Sequence, residues 1–300
     1  MPLSKLFNLS ISNGIYPDIL KLAVVTPVFK SGNSNDLNNY RPISSLSQFN
    51  KIFEKLLLDR FVKFVNSHSI ISQNQFGFQK CKSTEDAISF FLDDVSESFS
   101  QKKYFGSVFC DLSKAFDCVD HEILLHKLSC YGFRGTVLKL IRSYLTNRKQ
   151  YTIVNNTKSS VESITHGVPQ GSILGPFFFI LFINDFQKCL QKSKCVLFAD
   201  DSTIYHSTDN LDDLLRILEN DLTNVFNYLL ANRLSLNLNK TKFMIFTNKS
   251  TTNVNNIIVN NIQIENCNEI KFLGVWLNSK LIFTKYIDYG VLLLLPYYTS

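Results

Sequence analysis

Blocks of apolar and polar positions along the chain predict alternating strands and helices. Residues 21–29 (KLAVVTPVF) read as a strand, and the Asn- and Ser-rich stretch 31–42 after it as a polar loop. Helical spacing returns over 46–66, where Phe49, Ile52, Phe53, Leu56 and Phe61 fall on or near one face. It recurs over 84–100, with Ala87, Phe90, Phe91 and Val95 as the stripe. YFGSVFC (104–110) is a short apolar run of buried-strand type. Helices fit 121–131 and 135–147, with Gly132 and Gly135 between them, and 150–166 alternates like a hairpin. GVPQGSILGP (167–176) is a Gly/Pro-rich loop leading into an apolar helix, 177–190. CVLFADDSTIYHS (195–207) reads as a hairpin centred on Asp200 and Asp201. Leu214, Leu215, Leu218, Leu222, Val225 and Leu229 align along a helix over 211–232, and strands fit 242–247, 256–264 and 269–277. This mixture, with hairpins late in the chain, favours an α+β fold with an antiparallel sheet over a parallel doubly wound one.

With 45 % hydrophobic and 19 % charged residues in 300, the chain can build a sizeable core, which excludes a disordered tail or a disulfide-stapled miniprotein. The net charge of +6 permits a nucleic-acid partner and requires none. Seven cysteines without a CxxC pair suggest neither a zinc knuckle nor a disulfide framework, and are expected to be reduced and mostly buried. The longest apolar runs, FFFILFI (177–183) and VLLLLP (291–296), fall far short of the ~20 residues that span a bilayer. No membrane association and no targeting signal are expected.

Three carboxylates stand at the ends of apolar strands: Asp111, Asp200 and Asp201. An acid held there is rigid and partly desolvated, which suits a divalent-metal ligand that shares coordination with substrate phosphates. Taken singly, each is more simply a turn residue. Adjacent carboxylates repel, and a buried pair calls for a cation. Glycines 167, 171 and 175 let backbone approach a ligand closely, although neither a Walker loop nor a dinucleotide-binding fingerprint is present. Lys30 and Arg41 bracket the loop at 31–42, and two cations on a loop suit a triphosphate as well as a solvated surface. HEILLH (121–126) places its histidines five apart, on different helix faces, so it does not form a zinc-protease motif.

Taken in order, TPVFKSGNSNDLNNYRPIS (26–44), QFGFQKCKSTEDA (75–87), FCDLSKAFDCVDH (109–121), GVPQGSILGP (167–176), FADD (198–201), LNLNKTK (236–242) and KFLGVWL (271–277) closely resemble the successive motifs of non-LTR (LINE-type) retrotransposon reverse transcriptases, the jockey-like branch above all. The resemblance runs from about residue 5 to about 285. It implies an RNA-directed DNA polymerase with a right-hand fold, whose partners are an RNA template, a DNA primer and deoxynucleoside triphosphates. By motif match, Asp111, Asp200 and Asp201 would bind two Mg²⁺. Lys240 matches the palm lysine near the pyrophosphate, a proton donor to the leaving group. Phe116 matches the aromatic gate that clashes with a 2′-hydroxyl, Lys30 and Arg41 the triphosphate contacts, and Gln170 and Gly171 the loop packed on the templating pair. Leu273 and Gly274 match the hairpin that grips the primer end.

The same resemblance implies a fingers-like region over 1–100, a palm over 101–285 with an inserted fingers segment at about 134–166, and a divergent tail over 286–300. The endonuclease that usually precedes the polymerase in such elements is expected to be absent, and the family's thumb to be missing or incomplete. Faces such as Phe177, Phe178 and Phe179 would then lack packing partners. The alternative to an active polymerase is a truncated, non-catalytic relic that keeps the fold and at most binds RNA–DNA. The location implied is intracellular, nucleus or cytoplasm, and the sequence does not indicate the oligomeric state.

Overall fold

The computed structural model describes residues 2–248 and 256–281. The helices are α1 (Pro2–Asn13), α2 (Gln48–Ser67), α3 (Thr84–Ser100), α4 (His121–Cys130), α5 (Gly135–Leu145), α6 (Leu174–Phe182) and α7 (Leu211–Ala231). The strands are β1 (Leu22–Phe29), β2 (Tyr40–Ser45), β3 (Tyr104–Cys110), β4 (Leu112–Ser113), β5 (Arg148–Val154), β6 (Thr157–Lys158), β7 (Glu162–Ile164), β8 (Lys194–Phe198), β9 (Asp201–Thr208), β10 (Ser235–Leu236), β11 (Lys242–Phe246), β12 (Ile258–Val259), β13 (Ile262–Gln263), β14 (Glu265–Asn266), β15 (Glu269–Phe272) and β16 (Val275–Asn278). The architecture is α+β, and the chain divides into two compact units that share it piecewise. The first holds the described residues up to Phe78, Leu112–Phe186 and Tyr228–Ser235; the second holds Gln79–Asp111, Gln187–Asn227 and the described residues from Leu236 on. The expected tail, 286–300, lies outside the described residues.

In the first unit, β2, β1, β5 and β6 form a sheet in that order, with β7 also paired to β5. β1 and β5 run parallel and the other pairs antiparallel. Pro42 lies on β2, an edge strand, where a missing N–H costs no ladder bond. That strand begins at Tyr40, inside the stretch expected to be loop. The expected hairpin over 150–166 is present: β5 turns back at Asn155–Asn156, and its return arm is broken into two short antiparallel strands, β6 and β7.

α6 is apolar all round and therefore buried all round. Phe177, Phe178 and Phe179 are 4 %, 0 % and 0 % exposed, so the expected unpartnered phenylalanine face does not exist. Phe61 stacks on Phe177 at 6.0 Å and Tyr144 leans on Phe178 at 5.8 Å. The helix starts at Leu174, three residues earlier than expected, because Pro176 is tolerated in a first turn and the carboxylate of Glu54 accepts from the leading amides. It stops at Phe182, and a short 3₁₀ turn over Phe186–Cys189 replaces the expected continuation.

The expected face of α2 is partly wrong. Phe53 and Phe61 are buried with Leu57 and Val65, while Phe49, Ile52 and Leu56 are exposed. The helix turns its 53/57/61/65 stripe inward together with Asn50 and Glu54, whose polar heads have buried partners. On α3, likewise, Phe90 is exposed whereas Ala87, Phe91 and Val95 are buried.

The second unit is built on a sheet of order β14-β11-β3-β9-β8, antiparallel except where β11 meets β14. Phe91 of α3 anchors its core, 5.5 Å from Phe105, 5.4 Å from Tyr205 and 5.2 Å from Phe272. All six aligned apolar residues of α7 are buried. α7 approaches β3 at Gly106, where a Cβ would lie 2.7 Å from Leu218 and 3.1 Å from Leu214. The segments 256–264 and 269–277 are hairpins rather than single strands. Asn260–Asn261 and Leu273–Gly274, all four at positive φ, make the two-residue turns that suit the right-handed strand twist. Of the seven cysteines, Cys110, Cys195 and Cys267 are buried and Cys81 and Cys130 are exposed, fewer buried than expected. No described helix is long and apolar enough to cross a membrane.

Candidate active site

In the second unit, strand register brings the acids together. β3 and β9 are antiparallel, with Cys110 opposite Ser202, and one step further that register sets Asp111 against Asp201. β8 returns into β9 through Ala199 and Asp200, with Phe198 opposite Asp201. Ala199 takes a left-handed φ of 57°, a conformation that costs a non-glycine residue energy and keeps the turn tight. Desolvation, then the like charges of Asp200 and Asp111, push Asp201 up to about 6. Part of the Asp201 surface nonetheless remains open to solvent. Beneath the acids, burial pushes the Cys110 thiol up to about 12.

Asp111 is also held by its backbone. Asn237 N–H donates to the Asp111 carbonyl at 2.8 Å, and Asp111 N–H points at Thr241 Oγ1 at 3.4 Å. The Thr241 hydroxyl donates in turn to the Asn237 carbonyl at 2.9 Å, and Thr241 is fully buried. The turn clasped to Asp111 in this way carries Lys240, whose side chain is exposed. Asp111, Asp200, Asp201 and Lys240 thus belong to one corner of one unit.

Among the described residues, no three His, Cys, Asp or Glu side chains close into a metal cage. The donor set nonetheless fits a divalent cation. It is all carboxylate, and it concentrates negative charge that raises a neighbour's pKa and that a cation would relieve. Metal sites that complete their shell with substrate phosphates and water need few protein ligands.

In the first unit, the Gly-rich loop is pinned on three sides. Val168 N–H donates to the Phe116 carbonyl at 2.9 Å and Gly167 N–H to the Val119 carbonyl at 2.7 Å. His121 Nε2 meets the Gly167 carbonyl at 2.8 Å. Ser44 N–H on β2 donates to the Gln170 carbonyl at 2.7 Å. Gly171, at φ 115°, passes so close to β2 that a Cβ would sit 2.5 Å from the Ser44 carbonyl oxygen. The Phe116 ring stacks on Phe179 at 4.4 Å and meets the edge of Phe78 at 6.2 Å, so its position is fixed by packing. Lys30 and Arg41 sit on the two arms of the β1–β2 hairpin, both exposed, with Arg41 opposite Val28 and Lys30 N–H on the Asn39 carbonyl. β2 therefore carries Arg41 and, three residues on, the backbone that holds Gln170. Leu273 and Gly274 form the β15–β16 turn in the second unit.

Sequence reasoning missed two acids in the first unit. Asp117 accepts from Gln170 Nε2 at 2.9 and 3.0 Å, and desolvation raises its pKa although Gln170, Lys114 and His166 lower it. Glu54, fully buried, accepts from Ile173 N–H at 2.6 Å, Tyr144 OH at 2.9 Å and Asn50 Nδ2 at 2.9 Å. Asp117 lies inside a quoted motif, but nothing local marks its partner, and Glu54 reads in sequence as one charge on an ordinary helix.

A family model described as reverse transcriptase (RNA-dependent DNA polymerase) matches residues 29–277. The probable RNA-directed DNA polymerase from transposon BS of Drosophila melanogaster is 28 % identical over 290 residues, 94 % of this chain and 32 % of that protein. The RNA-directed DNA polymerase from mobile element jockey of the same fly is 27 % identical over 293 residues, 95 % of this chain and 32 % of that protein. The chain thus spans about a third of the length of these curated relatives. Among solved structures, apo telomerase from Candida tropicalis superposes with a TM-score of 0.60 at 13 % identity, over 94 % of this chain and 52 % of that one. That likeness gives the fold, the right-hand polymerase type.

Proposed function

From the chain's membership of the reverse transcriptase family, whose members generally use divalent metal ions, we propose that it is the polymerase segment of a non-LTR retrotransposon, copying an RNA template into DNA from a DNA primer. The observation that carries this reading is the set of three carboxylates gathered by the β3–β9 register and the β8–β9 turn. Asp111, Asp200 and Asp201 would hold divalent ions, which we take to be two Mg²⁺. When bound, these would neutralise charge on the primer hydroxyl and the departing pyrophosphate.

The other roles fall to side chains of the two units. Lys240 supplies a proton to the leaving pyrophosphate. Lys30 and Arg41 bind the triphosphate of the incoming deoxynucleotide by charge. Phe116, its ring fixed on Phe179, presents a wall that a 2′-hydroxyl would strike. Gln170 and Gly171 present the loop surface against the templating pair. Leu273 and Gly274 offer the tip of a tight hairpin to the primer end. Residues 1–78 take the fingers-like role with the inserted segment at about 134–166, and α3, packed on the second unit's sheet, goes with the palm. The site of action is the nucleus or cytoplasm.

The test is Mg²⁺-dependent dTTP incorporation on poly(rA)–oligo(dT), with Asp200→Asn as background. Extension by the parent chain alone supports the reading. Equal incorporation by both would remove Asp200 from the metal site. No extension from a folded, monodisperse parent chain would favour a relic that keeps the fold without the chemistry.

A further inference from the structure

Gln170 and Asp117 are joined in a way that decides which end of a carboxamide faces outward. A carboxylate only accepts hydrogen bonds, so Asp117 selects the amide nitrogen of Gln170. Nε2 lies 2.9 Å from one carboxylate oxygen and 3.0 Å from the other. Oε1 is thereby turned away from Asp117, and no described protein group donates to it. Both residues are tethered by backbone as well. Asp117 N–H bonds the Lys114 carbonyl at 2.9 Å, and the Gln170 carbonyl accepts from Ser44 N–H at 2.7 Å. The carbonyl of Asp117 packs where a Gly167 side chain would be, 2.6 Å from an ideal Cβ. Neither end of the pair can drift without moving the loop.

Building on the proposed polymerase activity, we propose that Asp117 is the positioning residue for Gln170, locking its carboxamide so that Oε1 is the acceptor offered to a hydrogen-bond donor of the bound nucleotide or template. Asp117 does not itself touch substrate. Its charge state and length set a polarity that Gln170 alone would not hold, because a free carboxamide flips between donor and acceptor with little cost. The neighbouring aromatic wall, Phe116 on Phe179, is held by ring packing and does not need Asp117. The two adjacent residues therefore have separable tasks, shape for Phe116 and hydrogen-bond polarity for Asp117.

The experiment has two arms. The first is independent of activity: the side-chain NH₂ resonances of Gln170 are identified by their absence in Gln170→Ala and followed in Asp117→Ala and Asp117→Asn. Displacement toward free-amide positions in Asp117→Ala supports the lock, and unchanged resonances overturn it. The second arm is a double-mutant cycle on dNTP incorporation. Loss of a hydrogen bond to a charged group predicts a KM for dNTP raised about tenfold in Asp117→Ala with little change in kcat. Asp117→Asn, which keeps one acceptor and the shape, should recover most of that loss. In a Gln170→Ala background, Asp117→Ala should add nothing. Full additivity, or a fall in kcat alone, overturns the positioning role. A parent chain without incorporation would refute the polymerase reading, and the resonance arm would still decide the lock.

Discussion

Removing the carboxylate of Glu54 should loosen the Gly-rich loop without touching any residue of the proposed chemistry. Glu54 is fully buried and is ringed by donors: Asn50 Nδ2, Tyr144 OH, and the amides of Ile173 at 2.6 Å and Leu174 at 3.4 Å. The last two are leading amides of α6, the helix the loop feeds, and they have no intrahelical partner. In the same interior lies Arg148, also fully buried, its guanidinium 4.8 Å above the Tyr144 ring and one nitrogen on the Tyr144 carbonyl at 3.2 Å. Glu54 and Arg148 bear oppositely on the Tyr16 and Tyr144 hydroxyls, whose pKa values burial raises far above the usual range. Glu54→Ala orphans at least three close donors, Asn50 Nδ2, Tyr144 OH and the Ile173 amide. Each orphaned donor costs ~1–3 kcal/mol, so the substitution should cost roughly 3 kcal/mol or more once water relaxes the site. Glu54→Gln keeps one acceptor oxygen but turns an NH₂ toward donors, and should cost ~1–3 kcal/mol. Urea denaturation gives the global figure. Hydrogen exchange of a peptide covering 168–176 gives the local one, with at least ~100-fold faster exchange for Glu54→Ala. A Glu54→Ala chain with parental urea midpoint and parental exchange over 168–176 would refute the anchoring role.

Three other outcomes follow from the site. The raised pKa of Asp201 means that the folded chain holds this proton more tightly than the unfolded one, so its contribution to stability is full below the ordinary value of 3.8 and is lost as pH rises through about 6. Without added divalent ion, Asp201→Asn should therefore be more stable than the parent at pH 7.5, by no more than ~1 kcal/mol after solvent screening, and equal to it below pH 4; a less stable variant at pH 7.5 would contradict the like-charge coupling. Phe116→Ala should admit ribonucleotides, read as the rNTP/dNTP ratio of kcat/KM, and an unchanged ratio would remove the gate. Gly171→Ala forces a Cβ to within 2.5 Å of the Ser44 carbonyl at a left-handed φ and should cost ~2–4 kcal/mol, so a parental thermal midpoint would show that β2 yields freely.

What could be read in the sequence was placement that depends on residue type and strand ends. Acids that end apolar runs, a glycine loop before an apolar helix, and a leucine stripe of helical period carry their own signals, and Asp111, Asp200, Asp201 and α7 were legible for that reason. The turns were less legible. Asn155–Asn156, Asn260–Asn261 and Leu273–Gly274 all take positive φ and fold strands back on themselves, yet only the last contains a glycine. A leucine in that conformation has no local sequence signature, so 269–277 read as one strand.

The polar residues that hold the site were illegible for a different reason. Asp117 finds Gln170 at a separation of 53 residues, and Glu54 finds the start of α6 at 119. A carboxylate whose role is to satisfy distant donors looks, along the chain, like any surface acid. The same fact explains the misread face of α2. Apolar counting put Phe49, Ile52 and Leu56 inward, but turning that stripe toward the core would carry Asn50 and Glu54 away from the donors and acceptors that occupy them. Leaving several buried donors unpaired outweighs exposing part of three apolar side chains, each of which keeps much of its surface covered. In this chain the partners of Asn50 and Glu54, together with the apolar stripe Phe53, Leu57, Phe61 and Val65, decide which face of α2 turns inward. That choice also determines whether α6, and the Gln170 loop that leads into it, has a fixed starting point.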